Sequence, residues 1–287
     1  MNNAIKHYRS KKAASIVKKT AIYIILVIIS FIWLIPFVYL IAQSFATTYV
    51  YGDFFPKTST FNNYIVLFTS ETYPFWKWWL NTFIIAIATA IIKTILVLMT
   101  SYALSRLRFK SRKTIMKLIL VFGMFPGFLG MVVIYFLLKL IGLEASIFGL
   151  VVVYVASSAM DYYIAKGFFD TISKSLDEAA MLDGASKNTI FWRIIMPLSK
   201  PIVVYTILMA FNGPWGDYML ASYIAQGNPN MFNVAVGLQQ MLSKANINIY
   251  FPVFCAGGVL VSIPIMILFF WLQRYYVEGI TGGAVKG

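Results

Sequence analysis

Glu178–Pro201, EAAMLDGASKNTIFWRIIMPLSKP, is a polar stretch set between two strongly apolar segments, and its reading decides what the rest of the chain is. Ser175, followed three residues later by Glu178, matches a capping box, in which hydroxyl and carboxylate each satisfy a free backbone amide. Ala179 and Ala180 extend that helix, and Asp183-Gly184 closes it, because glycine takes the left-handed conformation that ends helices. Ile190, Phe191, Ile194 and Ile195 then recur at helical spacing and make one apolar face, which Pro197 ends because it has no N–H to donate. The pattern predicts two short helices with a sharp turn between them, the first a small alanine-faced helix held out from the membrane. A structured loop of about two dozen residues usually has a task of its own.

The flanks of this loop read as membrane spans. Of the 287 residues 60% are hydrophobic and 12% charged, with a mean hydropathy of +0.77. That apolar share exceeds the ~45–50% of soluble domains. Runs long enough to cross hydrocarbon, which takes about 20 apolar residues, lie near 21–46, 80–104, 118–141, 147–165, 201–225 and 251–273. The expected fold is therefore all-α with six transmembrane helices. The first run is too long for a signal peptide and reads as an uncleaved span, with Pro36 as its kink. Trp76, Trp78 and Trp79 stand where an interfacial aromatic belt belongs. The stretch between the fifth and sixth runs, with Gly227, Pro229 and Asn246, reads as an external polar loop.

A net charge of +14 would suggest nucleic acid in a soluble protein, but its placement here suggests orientation instead. Of the 24 Lys and Arg, only Lys57, Lys77 and Lys244 fall in loops on one side, and Lys93 and Lys139 lie within spans. The others crowd the N-tail, the 106–117 linker, the 166–200 loop and the C-tail. The positive-inside rule places both termini and the loop in the cytosol. The single cysteine, Cys255, excludes an internal disulfide, and the single histidine, His7, leaves little for metal or imidazole chemistry. No G-x-x-x-x-G-K-[ST] phosphate loop is present, so nucleotide is not expected on this chain.

The order Glu178-Ala179-Ala180, three residues, Gly184, nine residues, Ile194, one residue, Met196-Pro197 resembles the EAA loop of ATP-binding-cassette importer permeases. Met196 stands where leucine is usual, a volume-conserving change. The C-terminal run from Gln273 to Gly287, ending Gly283-Ala284-Val285-Lys286-Gly287, resembles the tail of the MalG-type branch, permeases for maltose and other oligosaccharides. The resemblance implies a type I importer permease of MetI-like fold in the cytoplasmic membrane. It would comprise a basic N-tail over 1–20, a transmembrane domain over 21–273 carrying the coupling loop at 166–200, and a C-tail over 274–287. It further implies that Glu178, Ala179, Ala180, Asp183, Gly184, Ala185 and Pro197 form the ATPase-coupling element, and that Gly283 to Gly287 reach between the ATPase subunits. The implied partners are a MalF-like second permease, a homodimeric ATPase that binds the ATP and Mg, an extracellular solute-binding protein, membrane lipid and an oligosaccharide. No cofactor, catalytic group, metal or nucleic acid is expected on this chain itself.

Polar groups inside spans are costly unless they face protein or a water-filled path. Asn212, Trp215, Asp217 and Tyr218 in the fifth run, where Gly213-Pro214 weakens the helix ladder, are candidates to line or gate a pathway; a packing and capping role is the alternative. Lys93 joins them as a candidate, with Asp217 its expected partner. Asp161 and Lys139 sit near span ends, where they can snorkel. Gly123 and Gly127 match a small-residue packing pattern. The expected substrate is a maltodextrin, with raffinose-type, galactan-derived or uronate oligosaccharides as alternatives. An ion-coupled secondary transporter is the rival class; it would show repeat symmetry and several intramembrane acids, and only Asp217 is clearly placed in a span.

Overall fold

The computed structural model describes residues 2–124, 127–242 and 247–284, with side chains at 16–124, 127, 129–242 and 247–275. The helices are α1 (Asn2–Ser44), α2 (Asn62–Thr69), α3 (Phe75–Arg106), α4 (Arg112–Met124), α5 (Met131–Leu140), α6 (Ile147–Ala156) and α7 (Ala159–Thr171). They continue as α8 (Ser175–Leu182), α9 (Lys187–Ile190), α10 (Met196–Leu198), α11 (Lys200–Gly216), α12 (Met219–Ala225), α13 (Val234–Gln240) and α14 (Ile247–Ala284). Among the described residues the only β pairing is a bridge between Ala46 and Ser59.

α3 is the central element and packs against α6, α7, α11 and α13. Its small residues Ala86, Thr89, Ala90 and Ser101 are buried, which lets neighbouring backbones come close. α1 lies outside, against α14. Its side chains from Ile22 to Val38 are largely exposed, as suits a surface meant for lipid or another subunit.

Among the described residues three helices are long and apolar enough to span a membrane: Ile16–Ser44, Phe75–Arg106 and Ile247–Tyr275. α6 and α7 form a fourth such unit bent by 44°, and Lys187–Leu198 with α11 a fifth, bent by 82°. The third expected run appears as α4, a 3₁₀ turn at Gly127–Gly130 and α5, none of them long enough alone. Gly123 makes the close approach its spacing suggested, since a Cβ there would stand 3.0 Å from Met160 Sδ; among the described residues nothing crowds Gly127.

Four local expectations change. Trp78 is only 2% exposed and belongs to the core, while Trp76 is exposed and stacks on Trp79 at 5.3 Å. An indole seated against Gly237 and Phe232 buries more apolar area than an interfacial anchor would. The 226–246 stretch is not a plain polar loop. It contains α13, whose Val234, Val236 and Leu238 are buried, and its Gly237 faces Trp78 so closely that a Cβ would stand 2.1 Å from the ring. Pro197 does not end its helix; α10 continues past it and the bend falls at Ser199. Lastly, α14 extends beyond Gln273 to Ala284, because its backbone ladder meets no proline there. Of the expected tail residues, Gly283 and Ala284 are described by backbone alone, and Val285, Lys286 and Gly287 lie outside the described residues, as do Lys244 and Asn246.

The buried side chains form two clusters. One gathers Phe75, Trp78, Ile85, Leu150, Phe211, Trp215 and the residues of α13. The other joins Val97, Leu98 and Tyr102 of α3 to Ala165 and Phe169 of α7, and to Ala180, Ile190, Phe191 and Ile195 of the polar loop. The second cluster positions the candidate site.

Candidate functional site

α8 ends as the Asp-Gly pair predicts. Gly184 has φ +80°, its N–H bonds Met181 O at 3.1 Å, and Ala185 N–H bonds Ala180 O at 2.9 Å. These paired closures form a Schellman motif, which satisfies the orphan carbonyls of the helix end. The start of α8 differs from the expected capping box. Ser175 is the first helical residue, Lys174 holds the cap position without a side-chain bond, and Ser173 Oγ accepts from Ser175 N–H at 3.3 Å. The second arm has the cap that went unread: Ser186 Oγ accepts from Thr189 N–H at 3.2 Å. Phe191–Ile195 then forms a π-helical turn. Pro197 has no N–H for the ladder, so this turn must close by other pairings.

The arms have different surroundings. Ile190, Phe191 and Ile195 are buried against α3 and α7, with the Phe191 ring 4.8 Å from that of Tyr102. Burial of three large side chains stabilises the second arm by several kcal/mol, at about 1.5–3 kcal/mol each. The second arm is thus rooted in the body, while most side chains of α8 are exposed. Of the expected coupling residues, Glu178, Ala179, Asp183, Gly184 and Pro197 are exposed, Ala185 is half-buried and Ala180 turns inward. The outward face of α8 also carries Leu182, 89% exposed, with Met181 and Leu176. These uncovered apolar side chains lie beside the glycine turn.

Arg106, at the last position of α3, anchors this assembly. Its guanidinium, with a side chain 3% exposed, donates to Phe169 O at 2.9 Å and Ile172 O at 2.7 Å and lies 3.4 Å from Asp177 Oδ2. One side chain thereby ties the ends of α3 and α7 to the first turn of α8. Burial pushes the Asp177 carboxyl up from the usual carboxylate range, against the pull of Arg106 and with a further rise from Glu178. Ser105 Oγ donates to Asp170 Oδ1 at 2.6 Å, and Asp170 also pairs with Lys166. Sequence reading counted Arg106 as one of a basic run. The signal that could have singled it out is its position, first in that run and two residues past the apolar stretch.

The second candidate group divides. Asp217 ends α11, accepts from Tyr154 OH at 2.6 Å and from Leu220 N–H at 3.1 Å, and so caps α12. Asn233 donates to Pro214 O at 3.0 Å and to Asp217 O at 2.7 Å, satisfying carbonyls at the break in the helix. Trp215 is buried between Trp79 and Phe211, while Asn212 and Tyr218 are exposed. Lys93 is not part of this group. It pairs with Asp161 Oδ2 at 2.7 Å, not with Asp217. The bend between α6 and α7 brings Asp161, in the first turn of α7, against α3, and a helix N-terminus suits an acid. Asp161 therefore does not snorkel. Tyr154 and Asn233 went unread because each acts on a residue distant in sequence.

An apolar groove of about 560 Å³ runs between α3, α11 and α14, walled by Trp79, Phe83, Phe211, Ile267 and Trp271. A neighbouring one of about 330 Å³ includes Asn212 and Gln273.

Residues 95–282 match the family described as binding-protein-dependent transport system inner membrane component. The maltodextrin transport system permease protein MalD of Streptococcus pneumoniae is 35% identical over 291 residues, covering all of both chains. The galactooligosaccharides transport system permease protein GanQ of Bacillus subtilis is 34% identical over 269 residues, covering 92% of this chain and 94% of its own. The fold is similar to a chain in the crystal structure of a bacterial ABC transporter involved in the import of the acidic polysaccharide alginate. There the TM-score is 0.76 at 22% identity, over 91% of this chain and 96% of the other.

Proposed function

The chain belongs to the binding-protein-dependent transport system inner membrane components, in the MalG-type branch of sugar permeases, and from that premise we propose that it imports an oligosaccharide, with maltodextrins first. It is a multi-pass protein of the cytoplasmic membrane. In this reading it has six spans with both termini cytosolic, α4 and α5 together making the third. It works with a second permease, an extracellular solute-binding protein and two copies of an ATPase that hold the ATP and Mg.

The observation that carries the reading is the α8 turn: a rigid, Schellman-closed helix with exposed Glu178, Ala179, Asp183 and Gly184, bolted to α3 and α7 through Arg106. An ATPase that closes on ATP and grips α8 would pull directly on α3 and α7. Transport then needs no catalytic group here, only a stiff connection. The pathway candidates Asn212, Trp215, Asp217 and Tyr218 stand at the break between α11 and α12, a natural place for relative motion of two helix pieces.

Galactooligosaccharides are the second substrate class, on the likeness to GanQ. The test is ATP hydrolysis by the chain co-assembled with its companion permease and ATPase in lipid, with binding protein and a panel of sugars. Stimulation by maltodextrins supports the first reading, and stimulation by galactooligosaccharides alone replaces the substrate. Flat activity with every sugar in an assembled complex removes the carbohydrate assignment.

A further inference from the structure

We propose that the groove between α4 and α7 is a binding site for an anionic phospholipid. The groove has a volume of about 500 Å³. Its rim is basic, formed by Arg112, Lys113 and Lys117 of α4 and Lys166 of α7; its floor includes Met116, Leu120 and Tyr163. No residue of α4 is buried, although α4 packs along α7, so one side of it faces whatever surrounds the protein.

The order of residues along α4 fits a lipid in particular. Its first two turns hold Arg112, Lys113 and Lys117, and from Leu118 to Met124 it has no charge. A phosphate at the rim would meet cations at headgroup depth, while an acyl chain would follow the uncharged turns into hydrocarbon. Among the described residues, Lys113 and Lys117 have no ion pair, and the one acid paired in the neighbourhood, Asp170, is held by Lys166 and Ser105. The charges of Lys113 and Lys117 are therefore left for a ligand to neutralise, while Lys166 is shared with Asp170. A soluble acidic protein would match the rim but not the apolar floor.

The site borders the loop anchorage. Arg112 also lines a cavity of about 290 Å³ shared with Arg106, Asp177 and Glu178. Lipid bound at Arg112 and Lys166 thus sits beside the Ser105, Arg106 and Asp170 contacts that hold α8. The proposal uses the orientation given above only to name the leaflet as the cytoplasmic one.

The test is direct. The full chain, purified in mild detergent with the subunits that accompany it, is mixed with equal phosphatidylglycerol and phosphatidylcholine, and retained lipid is read by native mass spectrometry. Phosphatidylglycerol is retained in preference, and K113Q/K117Q lowers its affinity by about fivefold for each lysine removed. K18Q/K19Q, which removes the same charge from α1, leaves retention unchanged. Glycerol phosphate, lacking acyl chains, does not compete. Equal retention of the two lipids, equal loss in both double variants, or competition by glycerol phosphate overturns the site. A photo-cross-link from position 120 to a companion permease instead of lipid overturns it as well. Because bound lipid is read rather than transport, failure of the oligosaccharide reading leaves this outcome intact.

Discussion

Lys93 and Asp161 form an ion pair whose side chains are 13% and 17% exposed, on two helices of the transmembrane region. Removing one partner of such a pair leaves an uncompensated charge, which costs about 3–5 kcal/mol, whereas replacing both by apolar residues of similar volume is often neutral. Lys93→Met and Asp161→Leu should each lower the unfolding temperature of the purified protein sharply, and the double variant should recover most of the loss. If both single variants melt like the native chain, the pair does not form. Two glycines make contrasting cases. At Gly237 the Trp78 ring leaves no room, so Gly237→Ala should destabilise by about 1–3 kcal/mol in a denaturant or thermal series. At Gly184 there is open space but φ is +80°, so Gly184→Val carries backbone strain of about 1–2 kcal/mol. That variant should still insert and assemble yet lose sugar-stimulated ATP hydrolysis, and full stimulation would detach α8 from coupling. Gly184 was legible in the sequence because an Asp-Gly pair after a short helical run has a local meaning. Gly237 and the partner of Lys93 were not, since both depend on a helix from elsewhere in the chain.

Among the elements, those defined by composition could be read and those defined by packing could not. The apolar runs gave α1, α3, α11 and α14 because about 20 uncharged residues suffice for the inference. The bend at Ser199, the π turn at Phe191–Ile195 and the burial of α13 arise where one helix settles against another, and no local period announces them. The polar flanks of α13 concealed a short apolar helix. The α8–α10 loop was recognisable by its residue order, yet its anchorage needed the position of Arg106 relative to Phe169, Ile172 and Asp177. That anchorage yields a prediction at this scale. Arg106→Ala leaves the carbonyls of Phe169 and Ile172 without their donor, a loss of about 1.5–3 kcal/mol for each hydrogen bond made by a charged group, and leaves Asp177 without its ion-pair partner. The expected result is faster proteolysis within the loop and a fall in stimulated ATP hydrolysis, with membrane insertion unchanged. Arg106→Lys should rescue only in part, because an ammonium has no planar fork with which to reach both carbonyls and the acid. Equal protection of the loop in Arg106→Ala would mean that the apolar contacts of Ile190, Phe191 and Ile195 hold it alone.

At the scale of the molecule, α3 connects α13 at one end to α7 and the α8 loop at the other. Its 32 residues span about 48 Å at ~1.5 Å per residue. Near its start, Asn81 donates to the carbonyls of Asn230 and Phe232 at 2.9 and 3.0 Å, and Thr82 Oγ1 accepts from Val234 N–H at 2.7 Å. At its end Arg106 holds α7 and α8. A helix clamped at both ends and packed along its length transmits displacement with little loss, whereas one whose clamp is cut can slide against its neighbours. Asn81→Ala, far from the loop, should therefore lower sugar taken up per ATP hydrolysed, while ATP hydrolysis itself continues. The comparison that decides the matter is with Arg106→Ala and with the double variant, in uptake and hydrolysis measured on the same vesicles. If α3 acts as one connecting rod, either cut releases it, so the double variant should be little worse than the more severe single one, a departure from additivity expected of residues acting through one unit. Losses that simply add would mean that the two ends serve independently, and motion of α8 would then reach the opposite face through α7 and α11 instead.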